Sequence, residues 1–110
     1  MQAFSIIQQV GPLPISKTFN APLDGPALLA VTASLWATQA NVMMQLTVSL
    51  DGQQVGVQQL WSNAPSTHRA LPTLFCNITL TAGTHTLQLT LSGSGVVSDY
   101  NDVFSAALLF

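Results

Sequence analysis

His68-Arg69 and the run Asp99-Tyr100-Asn101-Asp102 hold much of the ionisable chemistry in this sequence. An imidazole, a guanidinium and two carboxylates could line a polar pocket for sugar hydroxyls. Trp61 or Tyr100 would give such a pocket a stacking face, and Asn63 lies in the loop that follows Trp61. The competing reading is structural: Arg69 pairs with Asp99 or Asp102 and orients a loop at a subunit contact, because its planar fork suits a carboxylate bidentately. The residues alone leave both open.

Other chemistries find less support. A nucleophile needs an activating base and a third group to orient it. Ser66, two positions before His68, supplies only proximity along the chain. The carboxylates are Asp24, Asp51, Asp99 and Asp102. Asp51 precedes Gly52 in a turn, and Asp99 and Asp102 lie too close in sequence to span a glycosidic bond reliably. No enzyme is expected. His68, His85 and Cys76 have no zinc-like spacing, and no acidic residues recur after Asp51-Gly52 as a calcium loop requires. No metal or other cofactor is expected. His85 shares its row with Leu87, Leu89 and Leu91, which makes it a packed histidine.

Composition narrows the partners. Only 5% of the 110 residues are charged, against about 25% in an ordinary domain. A folded monomer of this length exposes roughly 5,800 Å², so charges are spread at about one per 1,000 Å², too thin for a small domain that stands alone. Gln, Ser, Thr and Asn take the place of Lys and Glu, which suits a surface occupied by neighbours. A net charge of -2 with only Lys17 and Arg69 as cations excludes phosphate-backbone binding, so no nucleic acid is expected. No apolar run approaches the ~20 residues that cross a bilayer. Met1–Ile7 lacks the basic and apolar segments of a secretory signal, so cytoplasmic synthesis without a leader is expected.

These side chains must be positioned by strands. Val42, Met44, Leu46, Val48 and Leu50 alternate with Gln45, Thr47 and Ser49, and Asp51-Gly52 then marks a hairpin returning through Gln53–Trp61. Further strands are read over 1–10, 15–21, 27–38, 68–80 and 84–92, the last alternating leucine with threonine and glutamine. Prolines at 12, 14, 22, 26, 65 and 72 fall between or near strand ends. Residues 1–110 therefore form one domain of about eight strands, an antiparallel β-sandwich of jelly-roll or immunoglobulin-like kind.

The terminal strand says most about assembly. Val103, Ala107 and Leu109 point one way, and Phe104, Ala106, Leu108 and Phe110 the other. A strand apolar on both sides needs cover on both. A second sheet covers one side; another copy of the chain is expected on the other, with Phe104, Ala106, Leu108 and Phe110 as the candidate subunit interface.

The run Val103-Phe104-Ser105-Ala106-Ala107-Leu108-Leu109-Phe110, with Asn101-Asp102 before it, resembles the closing strand of the tumour-necrosis-factor and complement globular-head superfamily. The Thr81-Ala82-Gly83-Thr84-His85 turn is similar to the approach to the penultimate strands of its bacterial and phage members. Ala106-Ala107 stands where that superfamily usually has Gly-Phe. The resemblance implies a jelly roll of up to ten strands, a homotrimer with the last strand near the threefold axis, and a non-catalytic role. The expected function is an assembly module of a larger particle, such as a phage decoration protein or fibre head on the virion surface, in contact with other virion proteins. The alternative is a free-standing lectin binding a glycan through Trp61, Asn63, His68, Arg69, Asp99, Tyr100 and Asp102.

Overall fold

With apolar residues at every second position and turn residues between, the chain has no helical stretch. The computed structural model describes Met1–Phe110 and contains strands and turns only. The strands are β1 (Ala3–Val10), β2 (Ile15–Ala21), β3 (Gly25–Thr32), β4 (Ser34–Ala37), β5 (Val42–Leu50) and β6 (Gln53–Ser62). They continue with β7 (Arg69–Ala70), β8 (Leu74–Leu80), β9 (Gly83–Ser92), β10 (Val96–Val97) and β11 (Val103–Leu109).

Two four-stranded antiparallel sheets, ordered β1-β11-β3-β8 and β2-β9-β5-β6, face each other. Successive long strands alternate between the sheets except at the β5–β6 hairpin, which is the winding of a jelly roll. That hairpin turns on Asp51 and Gly52, both with positive φ (52° and 82°), as a two-residue type I′ loop requires. Gly52 supplies that conformation without a Cβ penalty.

Two of the expected strands are divided. Residues 27–38 split at Ala33, because Ser34–Ala37 leaves the first sheet to pair with β10 and β7. Residues 68–80 split around Pro72, which has no N–H for a ladder. The resulting small sheet, β10-β4-β7, closes one end of the sandwich and carries the candidate site.

The core lies between the two principal sheets. Leu29, Val31, Phe104, Ala106 and Leu108 from one meet Met44, Leu46, Val48, Leu87 and Leu89 from the other. A bulge in β1 between Ser5 and Ile7 turns both Ile6 and Ile7 inward. Gln58 is the one amide buried among them. Its Nε2 donates to Val31 O (3.0 Å) and Pro72 O (2.8 Å), tying β6 across to the other sheet.

This arrangement corrects the subunit interface expected from the sequence. Phe104, Ala106 and Leu108 are 0%, 1% and 0% exposed within the single chain, so its own second sheet already covers them. Phe110 is half-buried at the strand's end. The uncovered side is the opposite one, where Val103 is 56% exposed and Ala107 and Leu109 are half-buried. The parity of the strand was read correctly; which parity faces the core was not, because both rows are apolar.

Candidate functional site

The turn between β10 and β11 is fixed by its own side chains. Asp102 N–H donates to Asp99 O (3.1 Å), and Asn101 N–H donates to Asp99 Oδ1 (2.8 Å), an Asx turn. The Asp102 side chain then points inward and is completely buried. It accepts three hydrogen bonds: from Ser34 Oγ (2.9 Å), from His68 Nδ1 (2.7 Å) and from the Asp99 backbone N–H (2.9 Å). A buried carboxylate is tolerable only when so satisfied. The end of β1 passes against this turn, with Gly11 N–H donating to Asp102 O (2.9 Å). A Cβ at Gly11 would lie 2.6 Å from Asp99 O, so only glycine permits that approach.

Strand register explains why His68 reaches Asp102 and Arg69 does not. Ala70 stands opposite Ser34 and Arg69 opposite Leu35. Continuing that register sets His68 beside Trp36, on the same face as Ser34. The two rings lie 5.6 Å apart, tilted by 44°. Arg69 falls on the opposite parity, makes no ion pair, and its Nε is buried without a partner. The expected Arg69 pairing with Asp99 or Asp102 is thus replaced by one with His68. Its Nε2 is 3.8 Å from Asp99 Oδ2, with the histidine and Asp99 side chains 36% and 38% exposed.

Of the sequence-derived site residues, the structure brings together His68, Asp99 and Asp102, with Tyr100 exposed in the same turn. Trp61 lies elsewhere: it stands opposite Met43 on the outer face of the second sheet. Asn63 is exposed in the β6–β7 loop. Ser34, which does belong to the cluster, was missed, and Trp36, weighed with Trp61 as a ligand platform but favoured as packing, stands beside His68. Their signal was the mixed parity of residues 28–36, where polar Ser34 and amphipathic Trp36 alternate with buried Ala33 and Leu35.

The arrangement suits recognition better than catalysis. Ser34 Oγ and His68 Nδ1 both converge on one carboxylate oxygen, so the histidine does not activate the serine as a nucleophilic triad requires. Nor does the donor set suit a metal. His68, Asp99 and Asp102 each bring one donor atom within 4.8 Å of the others, but Asp102 already accepts three hydrogen bonds. Three side-chain donors, one of them so engaged, fall short of a closed four-ligand zinc site and of calcium's six to eight oxygens.

A second histidine–carboxylate pair stands where β9 passes the β5–β6 turn, with His85 in the row of Leu87 and Leu89. His85 Nδ1 donates to Asp51 Oδ2 (2.5 Å) and Nε2 donates to Thr81 O (2.7 Å). Neither acceptor has a proton to give, so both bonds are made together only while the imidazole is protonated. Hydrogen bonding to the carboxylates raises the pKa of His68, through Asp102, and of His85, through Asp51; the His85 bond holds Asp51 below the usual carboxylate range. A histidine with a raised folded-state pKa contributes stability that is complete below the unfolded value of about 6.5 and is lost as pH rises through the folded value. Urea midpoints should therefore fall as pH increases above about 6.5, and the His68→Gln, His85→Gln double variant should flatten that limb.

The sequence matches no known protein family, and no curated protein matches it. Solved structures do. The CBM36-1 domain of a multidomain xylanase from the hindgut metagenome of Trinervitermes trinervoides superposes with a TM-score of 0.54 at 11% identity, over 97% of this chain and 96% of that one. A carbohydrate-binding module CBM36 in complex with calcium and xylotriose superposes with a TM-score of 0.50 at 13% identity, over 98% of each chain. At such identities the likeness is one of fold: end to end, this chain is wound as the β-sandwich of those carbohydrate-binding modules.

Proposed function

We propose that the chain is a non-catalytic carbohydrate-recognition domain whose loop-end site is formed by His68, Asp99 and Tyr100. The observation that carries this reading is the pairing of exposed His68 Nε2 with Asp99 Oδ2 at 3.8 Å, locked from beneath by buried Asp102. The gap is too wide for a direct hydrogen bond and admits one hydroxyl oxygen about 2.8 Å from each group. With the imidazole protonated, Nε2–H would donate to that hydroxyl and the Asp99 carboxylate would accept from it, the two-way pattern a sugar hydroxyl offers. Because Asp102 fixes the imidazole and the Asx turn fixes Asp99, little side-chain freedom is lost on binding. Tyr100, 76% exposed, is the adjacent aromatic face. Asp102 acts through His68, not on the ligand.

The shared fold of the two carbohydrate-binding modules supports this reading over particle assembly.

The test is a glycan array, followed by calorimetric titration with the array's best oligosaccharide and with xylotriose. His68→Ala and Asp99→Ala should each lower affinity about tenfold, the loss of one charge-assisted hydrogen bond. A blank array, or unchanged affinity in both variants, would sink the proposal.

A second reading concerns assembly. The outer face of the first sheet exposes Val103 and Phe75 by more than half and carries half-buried Leu28 and Leu109 beside them. This is the surface through which like copies, in a homotrimer or as part of a larger particle such as a virion, would meet.

A further inference from the structure

The two outer faces of the sandwich differ in chemistry. The first sheet's face carries Val103, Ala107, Leu109 and Phe75 among polar Ser105, Thr32 and Asn77. The second sheet's outer face is a flat field of hydroxyls and amides with no ionisable side chain. Across β6, β5 and β9 its rows read Gln59–Gln45–Ser92 and Val57–Thr47–Thr90. At one end of the field stand Trp61 and Met43, opposite each other and 55% and 43% exposed.

From this pattern we propose that the outer face of β2-β9-β5-β6 is a second binding surface, for an extended chain of neutral sugars, separate from the loop-end cluster. Three observations carry it. First, no charged side chain stands within its rows, Lys17 on the edge strand and Asp51 at the Thr86 end being the nearest ions, and its hydroxyls and amides match a ligand made of hydroxyls. Second, its polar groups are already ordered: Gln59 Nε2 donates to Gln45 Oε1 (2.8 Å), Thr84 Oγ1 donates to Asn20 Oδ1 (3.2 Å), and Thr18 and Thr86 hydroxyls meet at 3.3 Å. Ordering them on binding costs little entropy. Third, the exposed Trp61 indole offers a flat apolar plane to the C–H face of a pyranose ring.

Sheet geometry sets the direction of the ligand. Neighbouring strands are about 4.8 Å apart, close to the length of one pyranose unit. A chain laid across the strands would present one sugar to each. A protein partner fits less well, because interface cores are apolar, and beyond Trp61, Met43 and Val57 these rows are polar.

The test uses polymers as probes. Wild type, Trp61→Ala, Gln59→Ala and His68→Ala would be run in native gels containing xylan, dextran or heparin, and bound to microcrystalline cellulose. Thermal melts would confirm that each variant is folded. Retention by at least one neutral polymer and not by heparin is expected. Trp61→Ala should weaken it tenfold or more and Gln59→Ala by a smaller factor, in the wild-type and in the His68→Ala background alike.

Retention unaffected by Trp61→Ala and Gln59→Ala would overturn the proposal. So would retention lost in His68→Ala alone, which would place all binding at the loop end. Wild type that binds none of the polymers, or that only self-associates through Trp61, would overturn it as well. Failure here leaves the oligosaccharide titrations of the loop-end site standing, and failure there leaves this result standing.

Discussion

Asp102→Ala should be the most damaging substitution near the candidate site, lowering stability by about 3 kcal/mol. Three donors, Ser34 Oγ, His68 Nδ1 and the Asp99 backbone N–H, lose their common acceptor at once. The side chain is fully buried, so water cannot replace it without opening the end of the sandwich. For a domain of this size that corresponds to a fall in melting temperature of ~15 °C, measurable by calorimetry. Asp102→Asn should cost less, because one carbonyl oxygen can still accept from Ser34 and His68. It should not be neutral, since its amide would turn a donor toward the Asp99 N–H. Equal losses for the two substitutions would show that the carboxylate's second oxygen contributes nothing. A loss below about 1 kcal/mol for alanine would show that the cluster is not held as described.

The second expected result separates the two sides of the terminal strand. Leu108→Asp should yield no folded protein. Its carboxylate would enter a site of 0% exposure with no partner, at a cost comparable to the whole stability of a small domain. Ala107→Asp, one position earlier, points to the outer face between Ser5 and Ala30 and should fold. If copies assemble through that face, light scattering should show the Ala107→Asp protein as a monomer where wild type is larger. A folded Leu108→Asp variant would reverse the assignment of sides. Ala107→Asp and wild type of the same mass would remove the assembly reading.

Much of the architecture was legible because a strand writes its period directly into the sequence. Val42–Leu50 and Thr84–Ser92 each bury one parity and expose the other, as read. Asp51-Gly52 identified its hairpin by chemistry alone, since a two-residue turn with both φ positive favours those residues. Where both parities are apolar the period is silent about direction. That is why β11 was placed correctly as a strand yet given the wrong inward row.

The site was legible in its ingredients and not in its connections. Composition singled out His68, Asp99 and Asp102 because ionisable residues are so few, and strand order confirms that β10 and β11 bring them beside β4 and β7. Which side chain meets the carboxylate depends on the register between β4 and β7, strands more than thirty residues apart in sequence. No local pattern encodes that offset, so Arg69 was paired where His68 belongs, and Ser34 went unnoticed.

By itself, then, the sequence determined that the chain is all strand, where it turns, and how few ionisable residues it has, because those properties are local. Tertiary structure alone decided that Trp61 faces a different surface from His68, that Asp102 is buried beneath the site, and that the outer row of β11 lacks cover. Each of those depends on the order in which distant strands lie side by side, and strand order is a property of the packed sheets.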